Sequence, residues 1–493
     1  MALINTSVGP ERVEVVPQPL GTVPVPGANT STAAFLISSS LGGAVENSPV
    51  RVRTMAEFED AFGDADDIAN DGYYHVQGWY DNAGEGSEAI IVNVGAAADA
   101  ADYVGSAADS TGLRALDALD DSMLLMIPGL PLATAYAVHS SLIDYSETVR
   151  ADFGSTLSTS FSLLAPPKEI TKANKDVAVT TSLFLSSAGV GPFTMTMEDV
   201  LAGGAADLSG VTPGMIVEND ALDYTATIVS VDDGTDTITV TVDPSAAFAA
   251  GENINIKVPS AIKYKETVIN NPSKVAAWYF NNLNVLDRGA ASSPGDLVAV
   301  DPTGHAAGVI ARISSQISIG GPSHAPAGQQ FAGIAGIQSL SLAISERLDA
   351  EPLRKNFINR IQAFAGSGNV IFGGYTADSG TSPLFTAQEQ LIQVMRTLQF
   401  IKASLEPGLR SFIWENQDPI NQGRVNQAIL SFLRNNAHLF PKGLSEPQKF
   451  KVISVEPTQD ELDVGLLRVR VQVKPNSAVR FIEVALEFPI PTT

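Results

Sequence analysis

The chain has 493 residues, of which 44% are hydrophobic and 17% are charged, and its formal net charge at pH 7 is −24. This composition is that of a globular protein with a large apolar core, and the length predicts about two to four domains of ~100–200 residues each. The acidic balance argues against nucleic-acid binding, which requires Lys and Arg side chains to neutralise phosphates. The absence of cysteine excludes disulfide bonds and thiolate metal sites.

The negative charge is concentrated in the first part of the chain. Residues 1–350 contain 15 Lys and Arg against 41 Asp and Glu, whereas residues 351–493 contain 15 against 13. A solvated acidic surface accounts for much of this charge, because net charge keeps protein copies apart. The mildly basic end indicates in addition that the C-terminal part faces a binding partner.

Neither a targeting segment nor a membrane span is predicted. The first ten residues lack the basic start and the apolar stretch of a secretory signal peptide. The most apolar run, Met123–Val138, is interrupted by Pro128 and Pro131 and is too short to cross a bilayer. We therefore expect no direct membrane insertion, and the lack of cysteine suits assembly in a reducing cytoplasm.

Residues 1–27 are predicted to form an extended N-terminal arm. A short alternating strand is followed by a linker with four prolines, which stop regular structure. The strand residues are Arg12, Val13, Glu14, Val15 and Val16. A strand that precedes a proline linker has little to pair with locally, so its partner is expected elsewhere.

Residues 28–105 are predicted to form an N-terminal α/β domain. The domain begins with a buried strand, Thr32–Ser38. A short helix follows, for which Thr54 and Glu57 have the spacing of a capping box. The next predicted elements are the helix Tyr73–Gly84 and the strand Ala89–Val94. A strand, two helices and a further strand in this order predict a compact α/β unit.

Residues 106–170 and 264–350 are predicted to form a discontinuous α/β core domain. The strands Ser122–Ile127 and Phe161–Ala165 are apolar throughout, and the helix Thr134–Ser155 lies between them. Strands that are apolar on both faces and alternate with helices indicate a mostly parallel sheet that is covered on both sides.

Residues 171–263 interrupt this core with a different composition, rich in Thr, Val, Asp and Gly. Short alternating segments and the hairpin-forming dipeptide Asp233-Gly234 predict an inserted all-β surface domain. After the insert the α/β alternation is expected to resume, with helices at Ser273–Tyr279 and Ala335–Leu348.

Residues 351–493 are predicted to form an α+β C-terminal domain. The long helix Ala387–Glu406 precedes a shorter one at Asn421–Asn435, where apolar residues recur at helical spacing on one face. An alternating strand at Leu467–Lys474 follows, and a second one, Arg480–Phe488, runs almost to the last residue.

The last strand allows two interpretations. It could pair with the strand before it as a hairpin. Leu467–Lys474 carries Arg and Lys outward and Arg480–Phe488 carries Glu, so antiparallel pairing would place opposite charges across from each other. Alternatively, the last strand is donated to another chain. Its apolar positions are Ile482, Val484, Leu486 and Phe488.

No catalytic, cofactor-binding or metal-binding residue is predicted. The five histidines lack metal-ligand spacing, and P-loop, dinucleotide-binding and nucleophile-elbow motifs do not occur. Asp64, Asp66, Asp67 and Asp71 suggest a calcium loop, but its twelfth position is His75 rather than Glu. A solvated acidic loop is the simpler interpretation, so we expect no cofactor and no enzyme activity.

Several segments resemble contractile tail sheath proteins, which surround the tails of long-tailed phages and of related injection machines. The resemblance lies in NQGRVNQAILSFLRNNAHLFPKG, from Asn421, and in GLLRVRVQVKPNSAVRFIEVALEF, from Gly465. NFINRIQAFAGSGNVIFGGYTA, from Asn356, is similar to the segment that joins the sheath core to its C-terminal domain. The resemblance covers most of the chain except residues 171–263, and Tyr375 stands where the family usually has Arg.

The resemblance implies a homo-oligomer: a helical sheath that surrounds an inner tail tube and meets baseplate and tail terminator proteins. Contraction would drive the tube through a target cell envelope. The energy would come from better subunit interfaces in the contracted lattice, by rigid-body rearrangement, and not from nucleotide hydrolysis. Such a protein is part of the virion tail and assembles in the host bacterial cytoplasm.

The resemblance also implies two kinds of contact. Subunits exchange strands, here Arg12–Val16 and the apolar positions of Arg480–Phe488 named above, about flexible tethers at Pro17–Gly27 and Pro475–Ser477. The helix Asn421–Asn435 faces the tube. Its candidate contact residues are Arg424, Gln427 and Arg434.

Three alternatives stay open at this point. The sheath could belong to an injection system encoded by a bacterium rather than to a phage. A non-contractile coat protein or adhesin would share the β insert but would not need both arms. A hydrolase is the third alternative, because the core of sheath proteins has been likened to hydrolase folds, although a fold does not imply an activity.

Overall fold

A computed structural model describes most of the chain. The described residues are 25–41, 45–69, 71–96, 98–150, 159–188, 194–199, 208, 210–219, 224–232, 235–242, 253–416, 418–454, 466–478 and 480. They divide into two compact units. The small unit consists of the described residues of Met1–Pro26, Ser404–Ala437 and Phe450–Val473. The large unit consists of those of Gly27–Ala403, His438–Lys449 and Lys474–Thr493.

The strands that the structure describes are, in chain order, β1 Thr32–Ile37, β2 Val50–Val52, β3 Ala89–Asn93, β4 Met123–Met126, β5 Phe161–Leu164, β6 Val177–Ala188, β7 Thr194–Asp199, β8 Ile216–Asn219, β9 Tyr224–Asp232, β10 Thr237–Val240, β11 Asn253–Val258, β12 Ala276–Phe280, β13 Leu283–Leu286, β14 Leu297–Val300, β15 Ser339–Leu340, β16 Ile358–Phe364, β17 Gly368–Phe372, β18 Phe450–Ser454 and β19 Val469–Val473.

The α-helices are α1 Met55–Phe62, α2 Gly72–Ala83, α3 Ala100–Val104, α4 Leu132–Asp144, α5 Ala261–Lys263, α6 Thr303–Ser315, α7 Glu351–Lys355, α8 Ile392–Leu409, α9 Pro419–Asn435 and α10 Glu446–Lys449. Three segments have π-helical hydrogen bonding, namely Tyr145–Val149, Tyr264–Ile269 and Glu346–Ala350. Short 3₁₀ segments occur at Gly112–Ala118, Ile317–Ile319, Gly321–Ser323, Arg410–Phe412 and Ala437–Leu439.

The large unit is built around an eight-stranded sheet with the strand order β17-β16-β12-β5-β4-β1-β3-β2. The six central strands pair in parallel, and each edge strand pairs antiparallel with its neighbour. Every residue of β1, β3, β4, β5 and β12 is buried. The prediction of a mostly parallel sheet with apolar central strands is confirmed, since parallel sheets are covered on both faces.

Two apolar layers lie on the two faces of this sheet. Successive side chains of a strand point to opposite faces, and β1 illustrates this alternation. Ala34 and Leu36 belong to one apolar cluster, whereas Phe35 and Ile37 belong to the other. The first cluster also contains residues of β7 to β11, and the second contains residues of α1, α2 and α6.

Glycines allow α2 and α6 to approach each other closely on the second face. A Cβ atom added to Gly304 would lie 2.3 Å from the carbonyl oxygen of His75, and one added to Gly308 would lie 2.8 Å from that of Trp79. The two glycines are four residues apart and therefore share one face of α6. On α2, Gly78 leaves room for the imidazole ring of His305 in the same way.

Strands β6 to β11 form a closed barrel with the order β10-β7-β6-β11-β8-β9 and antiparallel pairing. Its interior contains Ile216, Ile228, Ile238 and Ile256, which are fully buried. This segment coincides with the region predicted to be all-β, whereas the predicted hairpin dipeptide at 233–234 lies outside the described residues.

Two predicted helices are wrong. Residues 273–279 do not form a helix, because Ala276–Phe280 is β12 in the middle of the parallel sheet. The run Val-Ala-Ala-Trp-Tyr-Phe is buried on both faces there, and aromatic residues favour strands. The second prediction, at 335–348, fails because Gly336 has a φ of +81° and Ser339–Leu340 pairs with β13. A helix cannot contain such a residue.

Candidate assembly surfaces

Helix α9 in the small unit forms where the sequence predicts a helix. The side chain of Asp418 accepts a hydrogen bond of 2.7 Å from the backbone N–H of Asn421, and Pro419 occupies the first turn. The residues that the helix buries are Asn421, Val425, Ala428, Ile429, Phe432 and Leu433. The predicted apolar face is therefore confirmed.

The candidate tube-contact residues lie together on the opposite side of α9. Arg424, Gln427 and Arg434 share one stripe, because residues three, seven and ten apart fall on the same face of a helix. Gln427 and Arg434 are exposed. Arg424 is half-buried, and its guanidinium lies 5.6 Å from the ring centre of Phe412, a cation–π contact that restrains it.

Large apolar side chains are exposed just before α9 and in its first turn. Trp414 is 100% exposed, Ile413 is 62% exposed and Ile420 is 74% exposed. Trp414 also has a φ of +72°, in the left-handed region that bulky residues avoid. An exposed tryptophan on a strained backbone indicates a binding surface. Sequence reasoning missed it, although an aromatic residue immediately before the polar stretch Glu415–Asp418 was a usable signal.

An apolar groove of about 500 Å³ adjoins these residues within the small unit. Its walls come from α8, from the loop around Trp414, from α9 and from β19. The apolar lining residues are Leu405, Leu409, Phe412, Ile413, Trp414, Val425, Ile429, Leu467, Val469 and Val471. A groove of this volume and lining can take a strand or a short peptide.

Strand β19 forms one side of the groove and pairs with β18. The pairing is antiparallel, with Val452 opposite Val471 and Lys451 opposite Gln472. Within the described part of the chain, these two strands form a sheet of their own. A two-stranded sheet is marginally stable alone and can accept a further strand at its edge. The predicted hairpin between β19 and the last strand stays a prediction, because residues 481–493 lie outside the described residues.

Both predicted exchange strands lie outside the described residues. This holds for Arg12–Val16 and for Ile482, Val484, Leu486 and Phe488. Their attachment points are described. Thr30 accepts a hydrogen bond of 2.6 Å from the guanidinium of Arg396 on α8. A Cβ atom on Gly27 would lie 3.3 Å from the ring of Phe400, so the end of the N-terminal linker packs on α8 within the large unit.

The proposed tether Pro475–Ser477 is anchored and not free. The side-chain amide of Asn476 donates to the hydroxyl of Ser323 at 2.9 Å and to the carbonyl of His438 at 3.2 Å. The backbone N–H of Asn476 donates to the carbonyl of Leu439 at 3.2 Å, and Pro475 is buried. Movement of the C-terminal segment therefore has to begin after this point, and the prediction of a flexible tether here is wrong.

The most strongly perturbed charges are structural. His75 is fully buried, its Nε2 lies 3.0 Å from a carboxylate oxygen of Asp301, and its Nδ1 lies 2.8 Å from the carbonyl of Asp71. Burial alone would lower the pKa of His75, but the Asp301 carboxylate outweighs this effect and the pKa is raised. Asp301 also accepts hydrogen bonds from the backbone of Gly129 and Thr303. Each group of the pair therefore also contacts backbone atoms of the large unit, and the pair links the start of α2 to the segment that precedes α6.

The aspartates that suggested calcium stabilise local loops. Asp66 accepts from the backbone N–H of Ala290 at 2.8 Å, and Asp71 pairs with Lys168 at 3.0 Å. Among the described residues, no group of three or more His, Asp or Glu side chains is placed to hold a metal ion. Within the same residues, no helix is both long and apolar enough to cross a membrane.

The fold is similar to solved structures of contractile sheaths. No protein-family model matches the sequence, and no curated protein matches it. A chain of the anti-feeding prophage baseplate matches with a TM-score of 0.60 and 16% identity, over 98% of this chain and 100% of that chain. The helical sheath of the anti-feeding prophage in its contracted state gives a TM-score of 0.59 at 16% identity, over 98% and 99%.

A third similar structure is the sheath complex of PVC, an extracellular contractile injection system, in its contracted state. The TM-score is 0.59 and the identity is 13%, with 98% of both chains covered. The chain therefore has a mixed α/β fold of the type found in contractile sheaths, with a mostly parallel sheet and separate antiparallel sheets. More particularly, it is the fold of the sheath proteins of contractile injection systems.

Proposed function

We propose that this chain is the structural subunit of a contractile sheath. Copies assemble helically around an inner tube, and contraction of the sheath drives the tube through a target cell envelope. The observation that carries the proposal is the similarity over 98% of the chain to a helical sheath in its contracted state. Contraction needs no catalytic site, because the energy comes from rearranged interfaces between unchanged subunits.

The subunits join by exchange of terminal strands. The arm strand Arg12–Val16 and the last strand Arg480–Phe488 add to the sheet of β18 and β19 in a neighbouring subunit. The apolar groove beside β19 supports this proposal, because main-chain hydrogen bonds to an added strand supply affinity and the groove can accept its alternate side chains. The strands also cover Trp414, which otherwise exposes its whole side chain to water.

The exposed stripe of α9 faces the inner tube. Arg424, Gln427 and Arg434 lie on it together, on the basic part of an otherwise acidic chain. An acidic tube surface would complement these arginines and set the register between sheath and tube. Baseplate and tail terminator proteins are the further partners, at the two ends of the sheath.

The domain layout follows from this role. Residues 1–27 form the arm, 28–105 the N-terminal domain, and 106–170 with 264–350 the discontinuous core. The barrel within 171–263 is an inserted domain on the exterior of the sheath, and its acidic composition supports contact with water. Residues 351–493 form the C-terminal domain that meets the tube and the neighbouring subunits.

Two settings suit the same subunit, a phage tail and an injection system encoded by a bacterium. The similar structures reported above belong to a contractile injection system and to the anti-feeding prophage, which supports the second setting. In either case the sheath assembles in the bacterial cytoplasm. The genes beside the one that encodes this chain distinguish the two, since capsid genes accompany a phage tail.

Electron microscopy of the purified protein at high concentration tests the proposed function. Hollow tubes with regular striation are the expected result, because the contracted lattice has the lower free energy. Dispersed particles, both alone and after co-expression with the tube protein, would refute the proposal.

A further inference from the structure

A second cavity, of about 350 Å³, lies within the large unit and is not part of the groove described above. It lies between the loop around Ala327, the turn at Gly373–Tyr375, the start of α8, and the two residues Ala478 and Arg480. We call it the Gln393 cavity. The Gly373–Tyr375 turn is fixed by Asn359, whose side chain accepts from the N–H of Tyr375 and donates to its carbonyl, each at 2.8 Å.

Gln393 in the wall of this cavity is buried without a partner. Its side chain is 1% exposed, and neither its amide nitrogen nor its amide oxygen is hydrogen-bonded to any residue that the structure describes. A buried polar group without a partner destabilises a fold. Another buried glutamine of the same helix differs in part: the amide nitrogen of Gln399 donates a hydrogen bond of 2.8 Å to the carbonyl of Ser160, although its amide oxygen has no partner among the described residues.

Three arginines and two glutamates line the cavity, which gives its lining a net positive charge. Arg360 is 7% exposed and stacks on the ring of Phe372 at 4.8 Å. Arg354 and Arg480 also line the cavity. The two glutamates in the lining already have cationic partners: Glu346 lies 3.4 Å from Arg360, and Glu351 lies 2.9 Å from Lys355.

We propose that the Gln393 cavity receives an extended, acidic segment of a second copy of this chain. A carboxamide offers one donor and one acceptor side by side, which matches the C=O and N–H of an extended peptide backbone. The arginines then bind a carboxylate of the same segment, a charge-assisted contact. A cavity of 350 Å³ holds two or three residues of such a segment.

The second copy is the partner for two reasons. The proposal rests on the sheath function proposed above, in which each subunit presents different surfaces to its neighbours in a helical lattice. In addition, residues 1–350 of each copy contain 41 Asp and Glu against 15 Lys and Arg, so acidic segments are abundant on the copies themselves.

The variant Gln393→Leu tests this inference by two readouts, because it should stabilise the unassembled subunit and weaken assembly. Removal of the unpaired amide raises the urea midpoint of the unassembled protein. The same change raises the critical concentration for tube formation about tenfold, which corresponds to about 1.4 kcal/mol of lost contact. The matched control is Gln399→Leu, which breaks a hydrogen bond and therefore lowers the urea midpoint but leaves the critical concentration within about twofold of wild type.

A cross-linking experiment identifies the segment that enters the cavity. The chain has no cysteine, so Ala478→Cys can be labelled at one position with a maleimide benzophenone. Illumination of assembled tubes should join two copies, and mass spectrometry should place the second attachment point within two residues of an Asp or Glu.

The outcomes separate this inference from the proposed function. If the wild-type protein never assembles, both the inference and the proposed sheath function are refuted. If wild-type protein forms tubes, any one of three results overturns the inference and leaves the sheath function intact. These results are unchanged assembly of Gln393→Leu, a lower urea midpoint for that variant, and the absence of a cross-link between copies.

Discussion

The buried ion pair between His75 and Asp301 makes the stability of the large unit depend on pH. The pKa of His75 is raised above its ordinary value of about 6.5. The contribution of protonated His75 to the free energy of unfolding is therefore complete below about pH 6.5 and is lost as pH rises through the pKa of the folded state. The pKa of Asp301 is far below about 3.9, so its contribution is complete above about pH 4 and is lost as pH falls further. The pair therefore stabilises most between about pH 4 and 6.5.

Replacement of Asp301 by Asn should remove this dependence. We expect the free energy of unfolding at pH 6 to fall by ~3–5 kcal/mol, because a buried charge loses its partner. The decline of wild-type stability above pH 6.5 should disappear in the variant. Urea unfolding followed by circular dichroism from pH 5 to 9 measures both effects. The exposed Glu85→Gln change is the control, and parallel pH curves for wild type and Asp301→Asn would contradict this account of the pair.

Trp414 is fully exposed and has a left-handed backbone, so we expect it to serve contact with a neighbour and not folding. The variant Trp414→Gly should not lower the free energy of unfolding. Glycine relieves ~1–2 kcal/mol of left-handed backbone strain, which offsets the ~0.5–1 kcal/mol of additional conformational entropy that glycine loses on folding. The tryptophan ring is fully exposed, so its removal should cost little packing energy. Tube formation, measured by pelleting, should fall sharply because the groove loses its main apolar side chain.

Val425→Ala provides the contrast for Trp414→Gly. Val425 is buried on α9 at the same groove, so its truncation should lower the free energy of unfolding by about 1 kcal/mol or more. A Trp414→Gly variant that unfolds more easily than wild type, yet pellets normally, would show that Trp414 is structural.

Helix α9 carries its two faces for different purposes. The apolar face is buried in the small unit, whereas Arg424, Gln427 and Arg434 lie on the other side. We expect the double change Arg424→Glu and Arg434→Glu to leave the far-ultraviolet spectrum unchanged and to cost ~1 kcal/mol or less, chiefly from the lost contact with Phe412. Co-assembly with the tube protein should weaken, because like charges then face each other.

Co-sedimentation of sheath and tube protein measures this effect. Arg470→Glu on β19 is the control, because that exposed side chain lies outside the α9 stripe. Normal co-sedimentation of the double variant would assign the tube contact to another surface.

Periodicity in the sequence was sufficient for several of these elements. Helix α9 is predictable because its apolar residues repeat at helical spacing behind an Asp-Pro start. The start of α1 is predictable too, because the hydroxyl of Thr54 accepts from the N–H of Glu57 at 3.1 Å. The predicted capping box forms only in part, since the Glu57 carboxylate accepts from the N–H of Arg53 at 2.7 Å. The central strands follow from short apolar runs that end in proline or glycine.

Other features depend on contacts between distant residues and have no local signal. Strand β12 is a short, continuous apolar run, which periodicity alone cannot assign to a strand or a helix, and its central place in the sheet decides the outcome. The exposure of Trp414 and the anchoring of Asn476 on Ser323 depend on the folded surface. The Gln393 cavity combines residues from positions 325 to 480, so no window of sequence contains it.

At the scale of the whole molecule, residues 1–350 are strongly acidic and residues 351–493 are mildly basic. In the sheath proposed above, the negative charge keeps free copies apart in water, and the C-terminal part is the one that we expect to meet the tube and the neighbouring subunits. Assembly then depends on specific contacts strong enough to overcome the repulsion between copies. Polymerisation should accordingly become easier as ionic strength rises.

Removal of residues 480–493 should separate folding from assembly. The eight-stranded sheet, the barrel and α9 all precede this segment, so the shortened chain should keep the wild-type urea midpoint. It should not form tubes, because the donated strand is missing. Sedimentation velocity and pelleting measure the result, with deletion of 491–493 as the control. Full-length tubes from the shortened chain would exclude strand exchange at this end.

The most direct test of the central claim is the length and diameter of sheaths assembled with their tube protein, measured by cryo-electron microscopy before and after brief exposure to mild denaturant. A contractile sheath should become shorter and wider while its subunit number stays constant, because rigid subunits move to a lattice of lower free energy. Sheaths that keep their length and diameter until they dissolve would contradict the account and favour a non-contractile coat.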